Sequence, residues 1–91
     1  MSKEAAPAVW FVYMIESSDD SLYTGITTDV KRRLQQHGAG KVGAKYFRGR
    51  EPLRVVYCEG GHNRSSATRR EAELKRLTRV QKLKLIALAA D

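Results

Sequence analysis

Cysteine occurs once in 91 residues, at Cys58. A single thiol excludes an internal disulfide framework and any zinc site built from several thiolates. It is expected to pack beneath a sheet as a small apolar residue, the usual fate of a free cysteine. Long hydrophobic runs are also missing. No stretch approaches the ~18 apolar residues of a membrane-spanning helix. Met1–Pro7 lacks the apolar segment of a signal peptide. These absences point to a cytoplasmic protein with no membrane partner. The chain carries no repeat, linker or low-complexity segment, and its length fits one domain. A core of that size is modest, so a site must lie at the surface in a shallow cleft.

Acidic residues are scarce where bases are dense. The whole chain has 17 Lys and Arg against 10 Asp and Glu, a net charge of +7. Residues 1–30 hold one base and five acids, whereas residues 31–84 hold sixteen bases and four acids. A segment of that sign favours a polyanionic partner, because neutralised phosphates release condensed counterions.

Residues 1–8 read as a flexible N-terminal tail and 9–91 as the domain. Val9–Ile15 is unbroken and rich in β-branched and aromatic residues, the pattern of a strand covered on both faces. The polar cluster Ser17–Ser21 turns the chain into a second strand, Leu22–Ile26. Thr28 or Asp29 caps a helix that Gly38 ends. Gly38–Arg50 is a basic, glycine-bearing loop. Leu53–Glu59 forms a third strand, closed by Gly60–Gly61. Helical spacing runs from Ser66 to Leu77, and a last helix starts at Thr78, whose spacing to Gln81 makes a capping box. Its apolar end, Leu85–Ala90, is expected to dock on the core. The order β-β-α-β-α-α gives an α+β fold: a small three-stranded, mostly antiparallel sheet flanked by helices.

Several residues break these local patterns. Tyr13 and Tyr23 lie on the two hairpin strands, and an even pairing register puts them on one face. Gly25 follows two residues later, and a strand glycine often marks a close approach by another group. On the first helix, Val30, Arg33, Leu34 and His37 form the inward stripe, while Lys31, Arg32, Gln35 and Gln36 take the outer face. An inward guanidinium is costly unless an anion meets it, or unless only its stem packs. On the second helix, Ala67, Glu71 and Leu74 share one face, so Glu71 points inward and Glu73 does not. Alternatively, Glu71 closes a capping box with Thr68. Two tyrosines, an arginine, a histidine and a carboxylate are thus expected on one sheet face of a basic domain. A lone carboxylate suits one hard cation with open positions for phosphate and water, and phosphodiester cleavage needs such charge relief beside an activated nucleophile.

In their order and spacing, these residues resemble the GIY-YIG nuclease superfamily. Val12-Tyr13-Met14 and Tyr23-Thr24-Gly25 stand where its two signature tripeptides stand, with Met14 and Thr24 replacing the usual residues. The stretch Gly25–His37 is similar to the family segment with an arginine ten residues after the second tyrosine and a histidine or tyrosine four beyond it. Ala67-Thr68-Arg69-Arg70-Glu71 resembles the stretch holding the family's metal-binding glutamate. Gly43-Ala44-Lys45-Tyr46 resembles the structure-specific branch that cuts branched DNA. The likeness covers about residues 9–77 and is greatest to small stand-alone bacterial members.

The resemblance implies a DNA endonuclease of DNA repair that uses Mg²⁺ or Mn²⁺. Tyr13 would be general base or water-orienting phenol, with Tyr23 positioning the phosphate or assisting. Arg33 would neutralise the scissile phosphate, His37 would carry a proton or bind phosphate, and Glu71 would hold the metal. No Asn follows Glu71, although some members carry one there. Lys41, Lys45, Arg48 and Arg50 are the candidate contacts to the DNA backbone. The competing readings are a catalytically idle nucleic-acid-binding module and a partner-binding subunit of a repair complex. A protein partner or a second copy would then use the C-terminal helix.

Overall fold

A computed structural model describes residues 8–40, 43 and 45–90. Residues 1–7 of the expected tail at residues 1–8, and the candidate contact Lys41, lie outside the described residues. The elements are β1 (Trp10–Ser17), β2 (Leu22–Thr27), α1 (Val30–Gly38), β3 (Pro52–His62), α2 (Arg64–Lys75) and α3 (Arg79–Ala89). The sheet has the order β2-β1-β3, and β1 pairs antiparallel with both neighbours. No helix among the described residues is long and apolar enough to cross a membrane.

The central strand explains why Val9–Ile15 lacks polar alternation. Val12, Tyr13, Met14 and Ile15 are all buried, because both sheet faces are covered. On one face, Tyr13 and Ile15 pack with Phe47 and with Val30 and Leu34 of α1. On the other, Val12, Met14 and Tyr57 pack against Ala67 and Leu74 of α2. The sheet is therefore the middle of three layers, with a small core on each side.

Local chemistry sets the helix starts. Asp29, not Thr28, caps α1, its side chain accepting from the Arg32 amide at 3.0 Å. Thr78 and Gln81 close their expected capping box at α3. Helix α2 starts earlier than its apolar spacing indicates. Asn63 caps it and Ser66 returns the bond to the Asn63 amide, so the capping box belongs to that pair. Thr68 is then inside the helix, donating to the Arg64 carbonyl at 2.8 Å, and Glu71 is free of any capping role.

Gly38 ends α1 as expected, with Ala39 as its C-cap. Three further expectations are corrected. Gly60–Gly61 does not close β3 but forms a bulge within it. Trp10 pairs with His62 and Val12 with Glu59, leaving an extra residue that Gly61 absorbs at φ +78°. Cys58 is exposed rather than packed beneath the sheet. It lies on an edge strand, which has a neighbour on one side only, at a position that no helix covers. Finally, only Leu85 and Ile86 of the last apolar run reach the core. No residue of α3 is fully buried, and Leu88 is 83% exposed.

Candidate functional site

The hairpin register decides how the two tyrosines meet. Tyr13 stands opposite Gly25, and Tyr23 stands opposite Ile15. Both side chains share one face, but they are diagonal neighbours with ring centroids 6.3 Å apart. Gly25 is the reason. A Cβ there would lie 2.6 Å from the Tyr13 hydroxyl, so the phenol rests directly over the glycine and reaches toward the β2 edge. The group making the close approach is the protein's own side chain.

His37 completes this arrangement from the last turn of α1. Its Nε2 lies 2.8 Å from the Tyr13 hydroxyl, and both residues are 2% exposed. The imidazole also meets Tyr23 edge to face at 4.9 Å and Phe47 at 5.0 Å. Tyr46 joins the group through Tyr23 and Phe47. Gly43, at φ +65°, passes so close to His37 that a Cβ would lie 3.0 Å from the ring. No periodicity marks Tyr46 and Phe47 as the walls around the histidine. They sit in a loop without periodicity, and only tertiary packing brings them here.

Arg33 and Glu71 set the electrostatics. Both are half-buried, whereas Arg32 and Glu73 are exposed, as the helix phases predict. Burial pushes the Tyr13 phenol well above its ordinary value; Tyr23 and Glu71 raise it further, and Arg33 opposes them. Tyr23 is raised as well, first by burial and then by Glu71, again against Arg33. The charges of Arg33 and Glu71 therefore both reach the two phenols. One difference from the expected single face is that Glu71 stands on α2, a helix of the opposite layer. Its carboxylate pairs with Lys75 at 3.3 Å.

The structure thus brings Tyr13, Tyr23 and His37 into contact, with the charges of Arg33 and Glu71 near enough to act on the two phenols. Among the described residues, no three His, Cys, Asp or Glu side chains assemble a preformed metal site. Glu71 offers a cation one half-buried carboxylate, paired with an exposed lysine. That donor set fits a hard ion completed by water and phosphate oxygens. Of the candidate backbone contacts, Lys45 and Arg48 are exposed. Arg50 is engaged, paired with Asp19 at 3.0 Å and stacked over the Tyr46 ring at 4.5 Å.

A model of the GIY-YIG catalytic domain matches residues 9–84. The chain is 51% identical over 81 residues to a UPF0213 protein of Haloquadratum walsbyi, covering 89% of this chain and 90% of that one. It is also 51% identical over 81 residues to UPF0213 protein YhbQ of Escherichia coli, covering 89% and 80%. The solution NMR structure of a UPF0213 protein from Bacillus halodurans superposes with a TM-score of 0.57 at 46% identity, covering 89% of this chain and 85% of that one. The chain belongs to the GIY-YIG family, a nuclease superfamily whose members are generally endonucleases acting on DNA, and within it to a branch of small single-domain proteins.

Proposed function

We propose that this protein is a cytoplasmic DNA endonuclease that hydrolyses the phosphodiester bond with one divalent cation, Mg²⁺ or Mn²⁺. The supporting observation is that Arg33 and Glu71, of opposite charge and from opposite layers, converge on two phenols, one of them bonded to a buried histidine. Binding of DNA alone would gain nothing from a carboxylate at that point, since it repels phosphate.

Arg33 receives the scissile phosphate, its planar fork making two charge-assisted bonds that strengthen as charge develops. Glu71 is the residue that would hold the cation, releasing Lys75. When bound, the cation relieves charge on the phosphoryl and leaving oxygens. Tyr23, half-buried beside Tyr13, positions the phosphate.

The elevated value of Tyr13 argues against a resting phenolate, so this residue acts as a neutral phenol. Its oxygen accepts a proton from the attacking water while its own proton passes to unprotonated His37 Nε2, 2.8 Å away. The products of that step are a hydroxide-like nucleophile, an intact phenol and an imidazolium. His37 is thereby the final proton acceptor, and Tyr13 is the relay that orients the water. Lys45 and Arg48 contact the flanking backbone, and branched DNA is the preferred substrate.

Nicking of supercoiled plasmid and cutting of branched DNA test this reading directly, with Mg²⁺, Mn²⁺ or EDTA. Cleavage should need the cation and disappear in Glu71→Ala, while DNA binding survives or improves. Glu73→Ala should cut like the wild type. Equal losses in the two variants would mean that the wrong carboxylate has been chosen, and undiminished cutting in EDTA would remove the metal.

A further inference from the structure

The free edge of β2 borders a groove that extends beyond the residues given roles above. Its walls are Leu22, Tyr23 and Thr24 of the strand, Tyr46 of the loop, Lys75 and Lys82. A second groove shares Leu22, Tyr46 and Lys82 with the first and adds Arg79 near the β1–β2 turn. The two adjoin through those shared residues, and no acidic residue lines either one. Arg79 is fixed there by donating to the Asp20 carbonyl, while Lys82 forms no ion pair among the described residues.

This basic channel opens onto the reactive centre. Tyr23 lines it, and Lys75 in its wall is the residue paired with Glu71. On the α1 side lies a separate cleft lined by Thr27, Asp29, Arg32, Arg33 and Gln36. The centre is therefore flanked by two concavities that both carry cations. A polymer with one phosphate at Arg33 must leave the centre in two directions, and its charge repeats along each.

We propose that the β2-edge channel binds the phosphodiester backbone of the substrate strand on one side of the cut, through Lys82 and Arg79. These residues stand three apart on α3 and so share a helix face. They act as positioning residues and take no part in the proton transfers. The proposal rests on the nuclease reading and adds a substrate track formed by α3, outside the basic loop.

The test is fluorescence polarisation in EDTA on labelled single-stranded and duplex DNA and single-stranded RNA, with wild type, Lys82→Gln and Lys84→Gln. Lys84 is exposed on the same helix and lines neither groove, so the two variants are matched in charge. Lys82→Gln should weaken binding about twofold to fivefold, the order of one exposed charge contact. It should also flatten the log–log salt slope by about 0.9 on duplex or about 0.7 on a single strand, and the substrate showing this loss identifies the strand held. Its kcat on saturating substrate should be unchanged. Equal behaviour of the two variants would reduce the channel to diffuse charge and overturn the proposal, although wild-type cleavage would stand. A wild type that neither binds nor cuts any nucleic acid would instead sink the nuclease reading itself.

Discussion

A tyrosine, a histidine, an arginine and a glutamate occur together in two places in this molecule, and the two sets are connected in opposite ways. On the α2 side, Glu59 accepts from Tyr57 at 2.6 Å, from His62 at 2.6 Å and from Arg70 at 3.1 and 3.2 Å. His62 meets Ser66 through its other nitrogen at 2.9 Å, and Arg70 also reaches Glu73. Every strong group there is occupied by a neighbour, which ties the end of β3 to the start of α2. On the α1 side, Tyr13 holds His37, but Arg33 and Glu71 influence the phenols through space, and among the described residues Glu71 is met only by an exposed lysine. The comparison separates residue type from function. The same four side chains make a structural clamp when they satisfy one another, and a candidate site when their charges stay available to a third party.

Exchanging glutamate for glutamine in the two sets should break the comparison most visibly. Glu71→Gln should abolish cleavage and leave the melting temperature nearly unchanged. Glu59→Gln should retain cleavage and lose about 1–3 kcal/mol, the usual cost of leaving such partners unsatisfied. For a domain of this size, each kcal/mol lowers the melting temperature by roughly 4–8 °C. Calorimetry and a nicking rate on the same samples decide it, and a stable, inactive Glu59→Gln would reverse the roles.

Arginine to lysine is the next exchange. Arg33→Lys keeps the charge but loses the fork, and removal of one preorganised donor typically costs on the order of 10²–10³ in rate. Arg70→Lys should leave kcat near wild type, and Arg32→Ala should weaken only binding, slightly. If Arg32→Ala were crippled and Arg33→Ala active, the phase of α1 would be misassigned.

Acid and alkali sharpen the contrast through stability. Burial alone would raise the Glu59 carboxyl, but the bonds from Tyr57 and His62 and the Arg70 charge hold it below its ordinary value of 4.5. A depressed folded value means stability that is present above 4.5 and is lost as pH falls through the folded value. Glu59→Gln should flatten that acid limb in chemical denaturation. The phenols have the opposite sign. With Tyr13 and Tyr23 raised above 10.0, the folded state keeps protons that the unfolded state releases, so stability falls as pH rises past that value. Ultraviolet titration should accordingly show little loss of tyrosinate signal near pH 10 in Tyr13→Phe. A full residue's loss there would put a phenolate back into the proposed mechanism.

Much of this was legible in the sequence. The period of α1 placed Arg33 and His37 inward and Arg32 outward, because helical geometry fixes relative directions within one element. The alternating hairpin placed both tyrosines on one face, since any even register does so. What stayed hidden depends on how elements meet. The layer of α2 could not be read from Glu71 alone, and the loop aromatics Tyr46 and Phe47 follow no period. Cys58 was misplaced because strand pattern does not reveal which strand lies at the edge. The Asn63 cap is hidden because a Gly-Gly pair reads as the end of a strand, whereas here it is a bulge inside β3.

The contact of Tyr13 with Gly25 also restricts how the chain can vary. A Cβ at residue 25 would lie 2.6 Å from the phenol oxygen, so position 25 accepts a side chain only if the Tyr13 ring swings away or residue 13 is shortened. Shortening residue 13 removes the hydroxyl that meets His37. Neither change restores what the other takes away, so no sequence of single substitutions replaces Gly25 while keeping the hydroxyl in place. Randomising both positions together and selecting for cleavage should return the tyrosine–glycine pair, whereas selecting for folding alone should admit shorter residues at 13 with alanine or serine at 25. The two positions behave as one unit of inheritance under selection for activity, and as two ordinary core positions without it.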